Sequence, residues 1–141
     1  MNYYLEFLIN NINFAVPIKE VKEIVRPKSV LQEKKIPRNL VGFFRLRDRK
    51  IPLYDLPKIL KLDTEDVFEV ILSEIRETYI GFKVTKVLGI IKSETLLPFP
   101  ELVKPMGCFE GLVQVDGRLV QVLSLEKIMS PVRFKTLKKY L

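Results

Sequence analysis

At 141 residues, 48% hydrophobic and 29% charged, the chain has the composition of one folded domain or two very small ones, not of a disordered segment. It contains no histidine and a single cysteine, Cys108, which removes histidine-based triads, histidine metal centres and any internal disulfide. The formal charge of +7 is interleaved with acidic residues along the sequence, so it describes a solvated Lys/Glu-rich surface and singles out no partner.

Tyr3 to Ile9 reads as an apolar strand with Glu6 as its one charge, and Asn10-Asn11 as a turn. Asn13 to Ile18 returns as a second strand, with Phe14, Val16 and Ile18 on one face and Pro17 at its end. Ile18, Val21 and Ile24-Val25 then recur at helical spacing, predicting about one turn of helix stopped before Pro27. Pro27 to Pro37 is a basic loop bounded by prolines. The stretch Val41 to Leu60 predicts a hairpin whose polar tip is Arg45-Leu46-Arg47-Asp48-Arg49-Lys50, closing on a helical turn at Leu56 to Leu60. Val67 to Ile75 and Thr78 to Val84 make the next hairpin, where Gly81 inside a strand points to close backbone packing or a bulge. Val87 to Ile91 is apolar and leads to the proline-bounded Leu97-Pro98-Phe99-Pro100. Phe109 to Val115 and Arg118 to Leu123 form a last hairpin around Asp116-Gly117, a favoured tight-turn pair. Ser124 is placed to cap a helical turn through Leu125, Ile128 and Met129, and Phe134, Leu137 and Leu141 extend an apolar stripe into a C-terminal helix.

The pattern repeats. Gly42 falls on Gly111 at an offset of 69 residues, with Arg49 on Arg118, Leu56 on Leu125 and Lys58 on Lys127. Phe14 to Ile18 with Val21 and Ile24 falls on Ile80 to Val84 with Val87 and Ile90 at an offset of 66. Two patterns in the same order at nearly the same offset indicate a duplication, with halves at about 4–60 and 70–129 and a three-residue loop difference. A half this small folds alone only marginally, so the two are expected to share a core. Short, evenly spaced strands predict an all-β fold of two small five-stranded barrels packed on each other, with short helices and a C-terminal helix.

Catalytic chemistry finds little support. No phosphate-binding glycine loop occurs, and the pairs Glu20/Glu23 and Asp63/Asp66 fall where solvated charges are expected. No apolar run reaches the ~18–20 residues of a bilayer span, and MNYYLEFLINN lacks the basic and small-residue signals of a secretory leader. A non-catalytic cytoplasmic protein without cofactor or direct membrane insertion is expected.

The segment Gly42 to Leu60 resembles the signature of the CheW family of bacterial chemotaxis coupling proteins, in which an N-L-R-G turn precedes an apolar-Pro-apolar-apolar-Asp-Leu strand. Here those residues read Arg45-Leu46-Arg47-Asp48 and Ile51-Pro52-Leu53-Tyr54-Asp55-Leu56. The resemblance extends over essentially the whole chain, through Phe14 to Ile24, Val87 to Ile90 and Gly111 to Leu119. It implies one CheW-like domain over 1–141, built of two intertwined SH3-like barrels. It also implies an adaptor that couples the cytoplasmic tips of chemoreceptors to the regulatory domain of the histidine kinase CheA, recruited to membrane receptor arrays.

By the same resemblance, Arg47 matches the arginine implicated in receptor coupling, Glu23 an acidic position that pairs with it, and Gly42 the glycine that opens the motif. Val84, Val87 and Ile90 fall where the family lines the receptor groove, and Leu5, Ile18 and Val21 where the first barrel meets the kinase. An apolar residue on an alternating face is ordinarily core, a reading that competes for Val84 and Val21. Arg47, at a hairpin tip, has no evident packing reason. Arg45 and Asp48 depart from the Asn and Gly of the family turn, and Val84-Thr85 from its Val-Asp pair, which leaves open a paralogue serving twitching or another non-flagellar pathway. The rival reading is a small-barrel nucleic-acid binder, drawing on Phe43-Phe44-Arg45-Leu46-Arg47, where aromatic and basic residues adjoin.

Overall fold

A computed structural model describes residues 2–99 and 107–141. Ten strands form among these residues: β1 (Asn2–Ile9), β2 (Ile12–Pro17), β3 (Glu23–Val25), β4 (Leu40–Leu46), β5 (Arg49–Asp55), β6 (Glu69–Ile75), β7 (Thr78–Val84), β8 (Lys86–Ser93), β9 (Phe109–Val115) and β10 (Arg118–Leu123). Three short helices accompany them: α1 (Leu56–Ile59), α2 (Leu125–Ile128) and α3 (Pro131–Lys138). All four predicted hairpins form. Pro100 of the proline-bounded loop lies outside the described residues.

The strands make two five-stranded sheets, ordered β3-β6-β7-β5-β4 and β8-β1-β2-β10-β9. Matching β1–β5 of the first half with β6–β10 of the second turns one order into the other. Each half therefore gives its opening hairpin to the other half's sheet: β6-β7 sits in the first barrel, and β1-β2 in the second. The registers agree residue by residue, since Leu53 pairs with Gly81 where Val122 pairs with Ala15. The parallel pairings β5·β7 and β10·β2 are the places where these exchanged hairpins are held.

Three apolar clusters fill this frame. Val25, Phe44, Ile51, Leu53, Val70 and Leu72 belong to the first barrel alone. Tyr4, Ala15, Val113, Val120 and Val122 belong to the second. The largest cluster draws on both sheets and all three helices, and includes Phe7, Phe43, Tyr54, Phe82, Leu125 and Leu137. The expected shared core is thus the main one, and burial of side chains such as Phe7 or Leu125 stabilises by about 1.5–3 kcal/mol each.

Helix starts follow their caps. The Asp55 carboxylate accepts from the Lys58 amide at 3.1 Å, and the Ser124 hydroxyl accepts from the Lys127 amide at 3.2 Å. These are equivalent positions of the two halves, so the aspartate of the signature strand is a helix cap.

One expectation changes. The helical turn expected over Ile18 to Val25 is a three-residue 3-10 turn, Ile18–Glu20, followed by strand β3. The apolar spacing there also suits a strand, and pairing of Glu23, Ile24 and Val25 with Leu72, Ile71 and Val70 decides it. Its counterpart Val87 to Ile91 lies in an eight-residue strand, β8, paired to β1.

Candidate protein-interaction site

The tip between β4 and β5 is a two-residue turn in which Arg47 and Asp48 both take positive φ, 47° and 66°. That conformation matches the twist of a hairpin and is ordinarily supplied by Asn-Gly or Asp-Gly. Asp116-Gly117 supplies it in the second half, with φ of 49° and 79°. The first half adopts the same geometry without a glycine.

Arg47 Nη2 donates to Glu23 Oε1 at 2.7 Å. Glu23 begins β3, and β3 and β4 are the two edge strands of the first barrel. The ion pair therefore ties the β4–β5 tip to the edge strand β3, a structural reason for a tip arginine that the sequence did not supply. Both partners face water, with side chains 68% and 35% exposed, so the pair contributes only about 0–1 kcal/mol.

Around it lies a depression of about 230 Å³ lined by Lys22, Glu23, Arg47, Arg49, Leu72 and Tyr79 among others. The Arg49 guanidinium sits 4.3 Å from the centre of the Tyr79 ring, and Lys50 lies over Phe43 while pairing with Glu33 at 2.5 Å. Sequence reading passed over Arg49 and Tyr79, although the alignment of Arg49 with Arg118 was a signal for the first.

The other expected site residues lie elsewhere. Gly42 is buried, and a Cβ there would stand 2.4 Å from the Leu31 carbonyl oxygen, because Leu31 and Phe43 exchange backbone hydrogen bonds of 2.7 and 2.8 Å across it. Gly111 meets Leu97 in the same way. Val84 and Leu5 are buried in the shared core, so neither presents its side chain at the surface, and packing accounts for both. Ile18, Val21 and Val87 are partly buried against that core. Ile90, opposite Leu5 in the β1–β8 register, is 63% exposed, and Leu88 on the same strand is 45% exposed. Structure thus joins Arg47 to Glu23 and leaves Ile18, Val21, Val87 and Ile90 as the apolar positions with accessible surface.

At the crossover from β2 to β3, Glu20 is tied to the second half. Its carboxylate accepts from the Leu125 amide at 2.7 Å and the Ser124 hydroxyl at 2.9 Å, and its carbonyl accepts from Ser73 at 2.5 Å. Burial pushes its carboxyl above the usual range despite these donors. Glu69 in the shared region pairs with Arg26 and accepts from the Val87 amide at 2.7 Å, so this buried carboxylate is a brace between β6 and β8.

Phe43 and Phe44, on which the nucleic-acid reading drew, are 0% and 2% exposed. A stacking platform needs its ring faces in water, so this motif cannot provide one. Among the described residues no helix is long and apolar enough to cross a membrane.

A family model described as a CheW-like domain matches residues 3–133. A protein named "Chemotaxis protein CheW" from Thermotoga maritima is 27% identical over 135 residues, covering 93% of this chain and 89% of its own. One of the same name from Helicobacter pylori is 26% identical over 133 residues, covering 89% and 80%. In fold, the chain is similar to the crystal structure of scaffolding protein TtCheW from Thermoanaerobacter tengcongensis, with a TM-score of 0.81, 21% identity and 94% of each chain covered.

Proposed function

The chain belongs to the CheW-like family, and on that premise we propose that it is a non-catalytic adaptor coupling the cytoplasmic tips of chemoreceptors to the regulatory domain of a CheA-type histidine kinase. The chain works as one domain, in which duplicated halves interlock through exchanged hairpins. The observation that carries the reading is the exposed Arg47–Glu23 pair, on the two residues to which the family resemblance gives receptor coupling. It joins both edges of the first barrel, and that barrel shares its main core with the second. A load at the tip is therefore borne by the whole body and not by a mobile loop. The kinase side falls to Ile18 and Val21, partly buried at the crossover from β2 to β3, with Leu5 in the core against which both pack. Receptor arrays at the membrane are the place where both partners meet.

Calorimetric titration against the regulatory domain of a CheA-type kinase from the same organism tests this, with wild type and Val21→Glu. Wild type is expected to bind at micromolar affinity or tighter and the variant to lose at least tenfold, with circular dichroism showing the fold retained. Binding untouched by Val21→Glu would move the kinase patch elsewhere. No binding to any such kinase encoded in the genome would end the adaptor reading.

A further inference from the structure

The two barrels provide an internal control for the tip. Glu6 pairs with Ala15 where Leu72 pairs with Gly81, and Leu8 with Asn13 where Glu74 pairs with Tyr79. Arg118, Glu6 and Asn13 of the second barrel thus stand in the places of Arg49, Leu72 and Tyr79 of the first. In the second barrel Arg118 donates through both terminal nitrogens to the two oxygens of Glu6, each at 2.8 Å, and the Asn13 amide donates to Oε2 at 2.8 Å. Glu6 is 2% exposed, so an arginine in this setting takes a carboxylate in the bidentate geometry that suits its planar fork.

The first barrel keeps the arginine and lacks the acid. Leu72 holds the place of Glu6, and the nearby Glu23 is engaged by Arg47. Arg49 makes no ion pair among the described residues and rests on the face of Tyr79, beside Lys22, which is itself paired with Glu74 at 3.4 Å. Stacking fixes the guanidinium plane while its edge stays free for in-plane acceptors. The depression of about 230 Å³ falls short of the ~300–1,000 Å³ of small-molecule sites, and suits one side chain.

We propose that Arg49, held on Tyr79, is a docking position for an acidic side chain of a partner protein, which supplies from outside the carboxylate that Glu6 supplies within the second barrel. Because Arg49 neighbours Arg47, the partner is the receptor tip, so the inference rests on the adaptor reading above. The decisive comparison is calorimetry of full-length wild type, Arg49→Gln and Leu72→Glu against a receptor-tip fragment, at low and at physiological salt, with the kinase regulatory domain as control. Arg49→Gln is expected to weaken receptor binding about tenfold and to flatten its salt dependence, leaving kinase-domain binding unchanged. Leu72→Glu, which restores an internal carboxylate to Arg49, is expected to weaken receptor binding similarly. Its fold is checked by circular dichroism, and Arg49→Gln stands alone if it fails to fold. Receptor affinity and salt dependence unchanged in Arg49→Gln would overturn the docking position while leaving the adaptor reading in place. A loss confined to the kinase domain would overturn it equally. Wild type that binds neither partner would remove both.

Discussion

Two of the arginine–glutamate pairs among the described residues have different consequences. At the seam of the first barrel, Arg47 and Glu23 are solvated, and their pairing organises a surface without adding much stability. In the second barrel Glu6 is enclosed, and removing its partner would strand a buried charge. Glu20 is a carboxyl whose ionisation is coupled to folding. Its carboxyl holds its proton to higher pH in the folded chain than in the unfolded one, because burial outweighs the Leu125 and Ser124 donors. Such a group contributes stability that is fully present below the unfolded value of 4.5 and lost as pH rises through the folded value. Glu20→Gln is expected to flatten that decline, since a neutral amide oxygen still accepts from Leu125. Urea midpoints measured from pH 4 upward for both proteins check it, and parallel curves would remove Glu20 as the source.

At the scale of elements, the strands are set by pairing and the glycines by crossings. Gly42 and Gly111 lie where the chain at Leu31 and Leu97 bridges to β4 and β9, leaving no room for a Cβ. Gly42→Ala is expected to destabilise by about 2–3 kcal/mol, read from chemical denaturation, because the obstructing atom is backbone. Gly89→Ala is the matched control, since its Cβ meets nothing within 4 Å, although its φ of 139° carries a smaller conformational cost. The tip of the first barrel shows the converse. Arg47 and Asp48 hold a left-handed turn that glycine would take more readily, a cost that places an arginine where the hairpin reverses. The same bridges locate the three-residue difference between halves. Leu31 lies eleven residues before Gly42, and Leu97 fourteen before Gly111, so the extra residues fall between Leu97 and Gly111 in sequence.

For the whole molecule, exchange of the opening hairpins is expected to make the two barrels unfold as one unit. Phe7 lies in β1 of the second barrel's sheet yet packs in the core that both sheets share. Phe7→Ala is expected to cost about 3–5 kcal/mol and to lower a single transition for both barrels. Probes placed on the two sheets, such as single tryptophans at Tyr79 and Leu119, should unfold at one denaturant concentration; separate midpoints would show that the barrels fold independently. Two barrels interlocked through a shared core suit an adaptor, whose output is the relative placement of what it binds.

What the sequence determined by itself was local and periodic. Alternation of apolar residues marked the hairpins, Asp116-Gly117 a turn, Ser124 a cap, and the recurrence of Gly42 at Gly111 the duplication. The CheW-like signature pointed to Arg47 and Glu23 together. These are properties of neighbouring residues, or of spacing that any fold must respect. Tertiary structure alone decided the rest. Ile18 to Val25 fits a helix or a strand by spacing, and only the partner strand β6 made its end, Glu23–Val25, β3. Val84 and Leu5 look the same in sequence whether they face a partner or a core, and only the packing of two sheets put them inside. Arg49 aligns with Arg118, but whether either has a carboxylate depends on Leu72 and Glu6, 23 and 112 positions away. One-dimensional pattern records which side chains alternate; which distant strand closes over them is fixed by the exchange of hairpins between halves.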